Sequence, residues 1–179
     1  MKIYPVVTIT EEMLAASQKL INNVQVNRTV ASKIDTLTGI IGEYVFAQFF
    51  YGDWKKNNIG ENKGEVDFEN IEIKTSSFPF NENLNLLVRE DYALKRKAPF
   101  YIQIILDVES SKAEQIKPNT KAYICGWATA EEVDKATLKD MGSKLSTKGG
   151  YKCRCIPIKK LHSMDDFKEN LQSLKSNTF

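Results

Sequence analysis

The sequence predicts a mixed α/β fold for the 179-residue chain, and three observations support this class. Two nearly continuous apolar runs, at residues 99–108 and 121–129, are typical of strands that are covered on both faces. Apolar side chains at helical spacing indicate helices at residues 10–22 and 34–50. The predicted order is helix, helix, several strands, helix, strand, helix, which is the order of a mixed α/β domain.

Length and composition predict one globular domain over residues 1–179. Hydrophobic residues make up 42% of the chain and charged residues 27%, as in soluble globular proteins rather than disordered ones. The net charge of +2 neither favours nor opposes a polyanionic partner. The N-terminus does not resemble a signal peptide, and the longest apolar run, GIIGEYVFAQFF, is too short to span a bilayer. We therefore expect a cytoplasmic protein with no membrane segment.

The first two helices are predicted from a cap and from apolar patterning. Thr10 is placed to cap the first helix, with Glu11 and Glu12 in its first turn. In the second helix, apolar side chains occupy most of the circumference, so we expect this helix to be buried. Gly39 and Gly42 within it allow the backbone of another segment to approach closely.

The middle of the chain is predicted to contain strands and tight turns. Residues 66–68 and 70–75 are expected to form two strands joined by a turn at Glu69 and Asn70. We also expect a short strand within 54–59, an edge strand at 83–88 and a short helix or loop at 90–97.

The C-terminal part of the predicted core, residues 99–175, adds further strands and helices. Thr129 and Glu132 form a capping box that opens a helix extending to about residue 139. The segment YKCRCIPI predicts a last strand that ends at Pro157. Ser163 is then placed to cap a C-terminal helix.

The cysteines and the single histidine predict no zinc site. Cys125, Cys153 and Cys155 are at spacings that do not match a Cys/His metal motif, and His162 has no second histidine to act with it. We expect the three cysteines to be small buried apolar residues and His162 to be a surface or capping residue. Any metal would then be held by carboxylates, which select hard cations such as Mg²⁺ or Mn²⁺.

The segment GEVDFENIEIKTSS places several charged side chains inside a predicted sheet. Because side chains alternate across a strand, Ile71 and Ile73 share one face. Glu72 and Lys74 share the opposite face. Pairing through the predicted turn would bring Asp67 beside Glu72. Two carboxylates and one ammonium group would then converge on one patch of the sheet.

A bound cation would give this cluster a chemical role. Asp67 and Glu72 would repel each other at close range, and a divalent metal between them would remove that repulsion. Lys74 cannot bind a metal while it is protonated. It can instead hold a water molecule for attack, or neutralise charge that develops on a phosphate.

Glu43 is a second unusual carboxylate, because almost all of its neighbours in the predicted second helix are apolar. An unpaired buried carboxylate costs several kcal/mol. No basic residue lies three or four positions away on the same helix, so a local salt bridge cannot account for Glu43. The cluster at Asp67, Glu72 and Lys74 is the nearest candidate in the sequence for a long-range partner.

Residues 36–76 resemble the PD-(D/E)XK nuclease superfamily, whose restriction-endonuclease-like fold is a mixed central sheet flanked by helices. In this resemblance Asp67 is the first aspartate, Glu72 the (D/E) residue, Ile73 the X and Lys74 the lysine. Glu43 corresponds to the glutamate that many members place on the preceding helix. The proline of the motif is absent, since Val66 precedes Asp67. Many members of the superfamily lack this proline. The later strands and helices match only in architecture.

The resemblance implies a Mg²⁺-dependent nuclease, with Mn²⁺ as a substitute, that hydrolyses phosphodiester bonds in DNA. It implies that Asp67, Glu72 and the carbonyl of Ile73 bind the metal, that Glu43 completes the site, and that Lys74 orients the attacking water. Basic side chains could contact phosphates, and a homodimer could cut both strands. The candidates for phosphate contacts are Lys95, Arg96, Lys97, Lys55 and Lys56.

Two other interpretations of the same residues stay open. The fold could serve a nucleic-acid-binding or assembly protein that has lost the chemistry. Alternatively, Glu72 and Lys74 could be an ordinary ion pair on a solvated strand face of a structural α/β interaction module. The basic runs could likewise be solvated surface with no ligand.

Overall fold

The computed structural model describes residues 2–23, 33–57, 68, 70–95, 98–142 and 150–176. Its strands and helices follow one another in the order β1, α1, α2, β2, β3, α3, β4, β5, α4, β6, β7 and α5. The strands are β1 (Val6–Thr8), β2 (Ile71–Phe78), β3 (Asn85–Arg89), β4 (Phe100–Asp107), β5 (Lys121–Thr129), β6 (Thr137–Asp140) and β7 (Lys152–Pro157). The helices are α1 (Glu11–Asn23), α2 (Lys33–Tyr51), α3 (Glu90–Lys95), α4 (Ala130–Lys135) and α5 (Phe167–Ser176).

The strands form two sheets, and the first of them is mixed. Its order is β1-β5-β4-β2, with β2 parallel to β4 and the other neighbouring pairs antiparallel. The second sheet has the order β3-β7-β6 and is antiparallel throughout. The predicted α/β class is therefore confirmed, and β2 is an edge strand of the first sheet within the described residues.

Strand β4 has a hydrophobic core on each of its faces. Ile102 and Ile104 point into a core that α1, α2 and α5 help to fill. Tyr101 and Ile105 point into a second core, which contains Leu86 and other residues of the second sheet. This two-sided burial is what the continuous apolar run at residues 99–108 predicted.

Helix α2 packs against β2 at a point where the helix has no side chain. A β-carbon at Gly42 would overlap the side chain of Thr75, so only glycine allows this separation between helix and strand. The apolar circumference of α2 is buried around this contact, with Ile41, Val45 and Phe46 fully enclosed. The predicted burial of this helix is confirmed. The predicted close approach is confirmed at Gly42, where the neighbour is a side chain, but it was wrong at Gly39, which is exposed and has no atom within 4 Å of a β-carbon position.

Several predicted boundaries are confirmed by hydrogen bonds. The Thr10 hydroxyl accepts a bond from the backbone N–H of Met13 at 3.2 Å, which is the predicted cap of α1. Thr129 and Glu132 bond reciprocally in a capping box at the start of α4. The predicted edge strand corresponds to β3, which ends the second sheet, and residues 90–95 form α3 rather than a loop.

Other boundaries were wrong. The helix predicted to reach residue 139 ends at Lys135, because residues 137–140 pair with β7 as strand β6. Helix α5 begins at Phe167, and the Ser163 hydroxyl instead accepts a bond from the backbone N–H of Asp165 in the preceding turn. Strand β1 was not predicted. Trp54 and Lys55, in the predicted strand at 54–59, lie in a turn, and residues 58–59 are outside the described residues.

No helix within the described ranges combines the length and the apolar character that crossing a bilayer requires.

Candidate functional site

A tight antiparallel turn precedes the charged strand. The backbone N–H of Phe68 donates to the carbonyl of Ile71 at 3.0 Å, and the N–H of Ile71 donates to the carbonyl of Phe68 at 2.9 Å. Asn70 has a φ of 68°, a left-handed conformation that asparagine tolerates in two-residue hairpin loops. The turn predicted between residues 68 and 71 is therefore confirmed. Asp67 lies outside the described residues, so its position beside Glu72 stays a prediction.

Glu72 and Lys74 form an ion pair on one face of β2. Ile71 and Ile73 are buried on the opposite face, in the core that α2 covers. The Nζ atom of Lys74 lies 2.6 Å from Oε1 of Glu72, and the side chains are 28% and 24% exposed, respectively. The pair is therefore largely enclosed. An ion pair on a strand face is also what the structural interpretation predicts, and here the pair is partly exposed to solvent.

The neighbouring strand β4 encloses this pair. In the parallel register, Glu72 lies beside Tyr101 and Lys74 lies beside Gln103. Both neighbours are buried, with about 2% and 1% of their surfaces exposed. Burial raises the pKa of the Tyr101 hydroxyl; a hydrogen bond with the backbone of Ala98 opposes the rise, and the charge of Glu72 adds to it. The tyrosine therefore stays a neutral phenol beside the carboxylate.

Glu43 lies on the helix that packs against this strand. It follows Gly42, the residue in contact with Thr75 of β2, and its side chain is half-buried. Burial raises the pKa of the adjacent Tyr44, and the negative charge of Glu43 adds to the rise. The helix that carries Glu43 thus contacts the strand that carries Glu72 and Lys74, but it covers the face of Ile71 and Ile73, opposite to that pair.

The structure describes only some of the residues that were predicted to bind phosphates. Lys55 and Lys56 are exposed in the turn after α2, where the Lys55 ammonium lies 5.7 Å from the ring centroid of Trp54. Lys95 ends α3, while Arg96 and Lys97 are outside the described residues. These basic residues stay candidates from sequence alone.

The donor atoms of the candidate site suit a hard cation. Glu72 and Glu43 offer carboxylate oxygens, which Mg²⁺ and Mn²⁺ prefer. In the part of the chain that the structure describes, no three His, Cys, Asp or Glu side chains lie close enough together to hold a metal. That part does not include Asp67, the residue on which the predicted metal site depends.

Sequence reasoning missed the contribution of the second sheet to this region. Arg89 on β3 lies opposite Cys153 on β7. Burial raises the pKa of the Cys153 thiol, the Cys155 thiol adds to the rise, and the positive charges of Arg89 and Lys74 oppose it. Of the two cations, Arg89 lies beside this thiol in the register of β3 and β7. Only strand pairing reveals this neighbour, since residues 89 and 153 are far apart in sequence.

A second polar pair lies elsewhere, at a cavity of about 320 Å³. Nε2 of His162 lies 2.6 Å from Oε1 of Glu132, and the imidazole ring stacks on Trp127 with 4.4 Å between ring centroids. Backbone hydrogen bonds also join Trp127 and His162. His162 was predicted to be a surface or capping residue; it is exposed, and it links the segment before α5 to α4.

Comparisons with protein-family models, with curated proteins and with solved structures each find no match for this chain.

Proposed function

We propose that this protein is a Mg²⁺-dependent nuclease of the PD-(D/E)XK type, with a restriction-endonuclease-like fold, that hydrolyses phosphodiester bonds in DNA. The observation that carries the proposal is the largely enclosed Glu72–Lys74 pair, 2.6 Å apart. It lies on a strand that directly follows a two-residue antiparallel turn. A helix with a half-buried glutamate, Glu43, packs against the other face of the same strand. The mixed sheet and its covering helices are in keeping with this fold.

We further propose that the antiparallel pairing seen at Phe68 and Ile71 continues by one residue. In an antiparallel ladder, each step back along one strand matches one step forward along the other. Asp67 would then lie opposite Glu72, and the two carboxylates would meet on the edge of β2. This register is the same as the one that the alternation of side chains predicts.

The metal would be held by Asp67, Glu72 and the carbonyl of Ile73, with Glu43 completing the site. A bound divalent ion supplies positive charge next to the phosphate and makes a water molecule more acidic. Glu72 also has a role that does not depend on the ion. Its contact with Lys74 holds the ammonium group at a defined point on the strand face.

Lys74 would act on the attacking water and on the phosphate. An ammonium group has three N–H donors, so Lys74 can donate to Glu72 and to a water molecule at the same time. Its positive charge also stabilises the negative charge that grows on the phosphate oxygens in the transition state. The low exposure of the pair strengthens this effect, because water screens the charge less there. Tyr101 and Gln103 exclude water from the β4 side.

A second candidate function keeps nucleic-acid binding without cleavage. The observation that favours it is that Lys74 already neutralises Glu72, so the pair does not need a metal to be stable.

A homodimer, which cleavage of both DNA strands would favour, is a further element of the nuclease proposal and is tested by sedimentation of the same protein.

Cleavage of supercoiled plasmid in Mg²⁺ separates the two candidates. We expect the wild type to cut, and Asp67→Ala and Lys74→Ala to lose about 100-fold or more in rate. The matched controls are Lys135→Ala and Glu131→Ala, which break an ion pair exposed on α4. They should cut at the wild-type rate. Cutting at the wild-type rate by Lys74→Ala would overturn the nuclease proposal, and binding without cutting by the wild type would support the second candidate.

A further inference from the structure

The second sheet carries a row of two cationic side chains, Arg89 and Lys139, that flank its central strand. In the strand registers, Arg89 of β3 and Lys139 of β6 both pair with Cys153 of the central strand β7. Paired residues point to the same face of a sheet, so the two cations flank one small, buried thiol. Cys153 is 2% exposed, whereas Lys139 is exposed to solvent.

This row lies close to the candidate active site. The charges of Arg89 and Lys74 both act on the Cys153 thiol. Strands β2 and β3 also lie in contact with each other. The contact between β2, which carries Lys74, and β3, which carries Arg89, is the geometric link between this row and the candidate site.

Arg89 is held in a fixed orientation. Its Nε donates to Oδ1 of Asp91 at 3.0 Å, and its Nη2 donates to Oδ2 at 2.8 Å. The guanidinium carbon lies 5.0 Å from the ring centroid of Tyr151, a cation–π contact. The Arg89 side chain is still 42% exposed and Tyr151 44% exposed. A planar guanidinium fixed in this way on an accessible surface suits recognition of a phosphate.

We propose that Arg89 and Lys139 bind the sugar–phosphate backbone of a nucleic-acid strand beside the Glu72–Lys74 pair, with Tyr151 and Asp91 setting the orientation of the guanidinium. This inference rests on the proposed function, because it assigns the substrate-binding surface of that site. The surface differs from the basic runs at Lys55–Lys56 and Lys95–Lys97 that the sequence suggested.

A substitution at Asp91 distinguishes phosphate binding by Arg89 from a purely structural role of Arg89, because the two roles predict different directions for the change in nucleic-acid affinity. Asp91 orients Arg89, but its negative charge also repels an approaching phosphate. Asp91→Asn keeps a side chain that can accept hydrogen bonds and removes the charge. If Arg89 binds phosphate, Asp91→Asn tightens nucleic-acid binding while Arg89→Ala weakens it. If Arg89 only supports the fold, both substitutions act in the same direction.

The test measures binding of a fluorescent DNA oligonucleotide by anisotropy across a salt series, in a Lys74→Ala background so that the probe stays intact. We expect Arg89→Ala to raise the Kd about 10-fold and to reduce the slope of log K against log salt by about 1. Lys139→Ala should act in the same direction, and Arg89→Lys should recover only part of the affinity. Lys117→Ala, which removes a similarly exposed ion-paired lysine, is the control and should bind as the parent does.

Two outcomes of the binding measurements would overturn the inference. One is an unchanged Kd and salt slope for Arg89→Ala, and the other is weaker binding by Asp91→Asn. Rejection of the nuclease proposal and rejection of this binding surface give different experimental results. A wild type that binds DNA through Arg89 but does not cut would leave this surface in place and reject the nuclease, whereas equal kcat/KM for wild type and Arg89→Ala would reject the surface alone.

Discussion

Gly42 of α2 lies directly against the side chain of Thr75 on β2, so closely that a β-carbon at residue 42 would overlap the threonine hydroxyl. This contact sets the distance between the helix that carries Glu43 and the strand that carries Glu72 and Lys74. The architecture of the candidate site therefore depends on a residue that has no chemical group of its own.

Gly42→Ala is expected to destabilise the protein by about 1–3 kcal/mol, because the added methyl group pushes α2 away from β2. Gly39→Ala is the matched control on the same helix: a β-carbon there meets no atom within 4 Å, and Gly39 is exposed. The control should stabilise the helix by about 0.5–1 kcal/mol. Urea denaturation measures both changes. Equal and small effects of the two substitutions would show that the contact at Gly42 is not close.

Metal binding is expected to raise the melting temperature of the wild type. An ion at ten times its Kd stabilises the folded state by about 1.4 kcal/mol. For a chain of 179 residues this is a shift of about 3–5 °C. Asp67→Ala should show no shift in Mg²⁺, whereas Glu109→Ala, at an exposed ion pair elsewhere, should respond as the wild type does. An equal rise in wild type and Asp67→Ala would place the ion at another site.

Glu132 is expected to make stability depend on pH in the acidic range. Burial by itself raises the pKa of this carboxyl, but hydrogen bonds from Thr129 and His162 outweigh it and lower the pKa below its usual range. A lowered pKa in the folded state stabilises the protein above the pKa of the unfolded chain. That stabilisation is lost as pH falls through the folded pKa.

The melting temperatures of wild type and Glu132→Gln should therefore differ most near pH 6 and converge as the pH falls below about 4.5. The glutamine keeps most of the capping geometry and lacks the charge, so the difference reports on ionisation. Glu131→Gln, at the neighbouring exposed position, controls for the general effect of removing one charge from α4. A gap between wild type and Glu132→Gln that stays constant with pH would contradict the assignment.

The three cysteines are expected to react slowly with a thiol reagent such as DTNB while the protein is folded. All three are buried and unpaired. Burial raises the pKa of Cys125 to about 12 and also raises those of Cys153 and Cys155, so little reactive thiolate forms at pH 8. Unfolding in guanidinium should make all three react quickly. Rapid labelling of one thiol in the native protein would show that a cysteine is accessible and activated.

Local patterns predicted those parts of the fold that depend on local physics. The hydroxyl of Thr10 and the capping box of Thr129 and Glu132 act within one turn of helix, so their sequence spacing was sufficient. The two-sided burial of β4 followed from its continuous apolar run. The turn between Phe68 and Ile71 followed from an asparagine that tolerates a left-handed backbone.

Pairing between strands that are distant in sequence explains why the helix boundary at residue 139 was wrong and why some neighbours of the candidate site were not predicted. Residues 137–140 continue a helical pattern in the sequence, but their backbone pairs with β7, and this pairing overrides local propensity. The same cause hid the neighbours of the candidate site. Tyr101 lies beside Glu72 only because β2 and β4 run parallel, and Arg89 lies opposite Cys153 only because β3 and β7 pair.

The sequence by itself determined which side chains share a face of β2, because alternation along a strand is a property of the backbone. It therefore placed Glu72 and Lys74 together and Ile71 and Ile73 opposite them. Only the tertiary structure decided how far that pair is withdrawn from water and which residues enclose it. Burial and strand order depend on contacts between segments distant in sequence, and the free energy of those contacts is set by packing of the whole chain rather than by any local pattern.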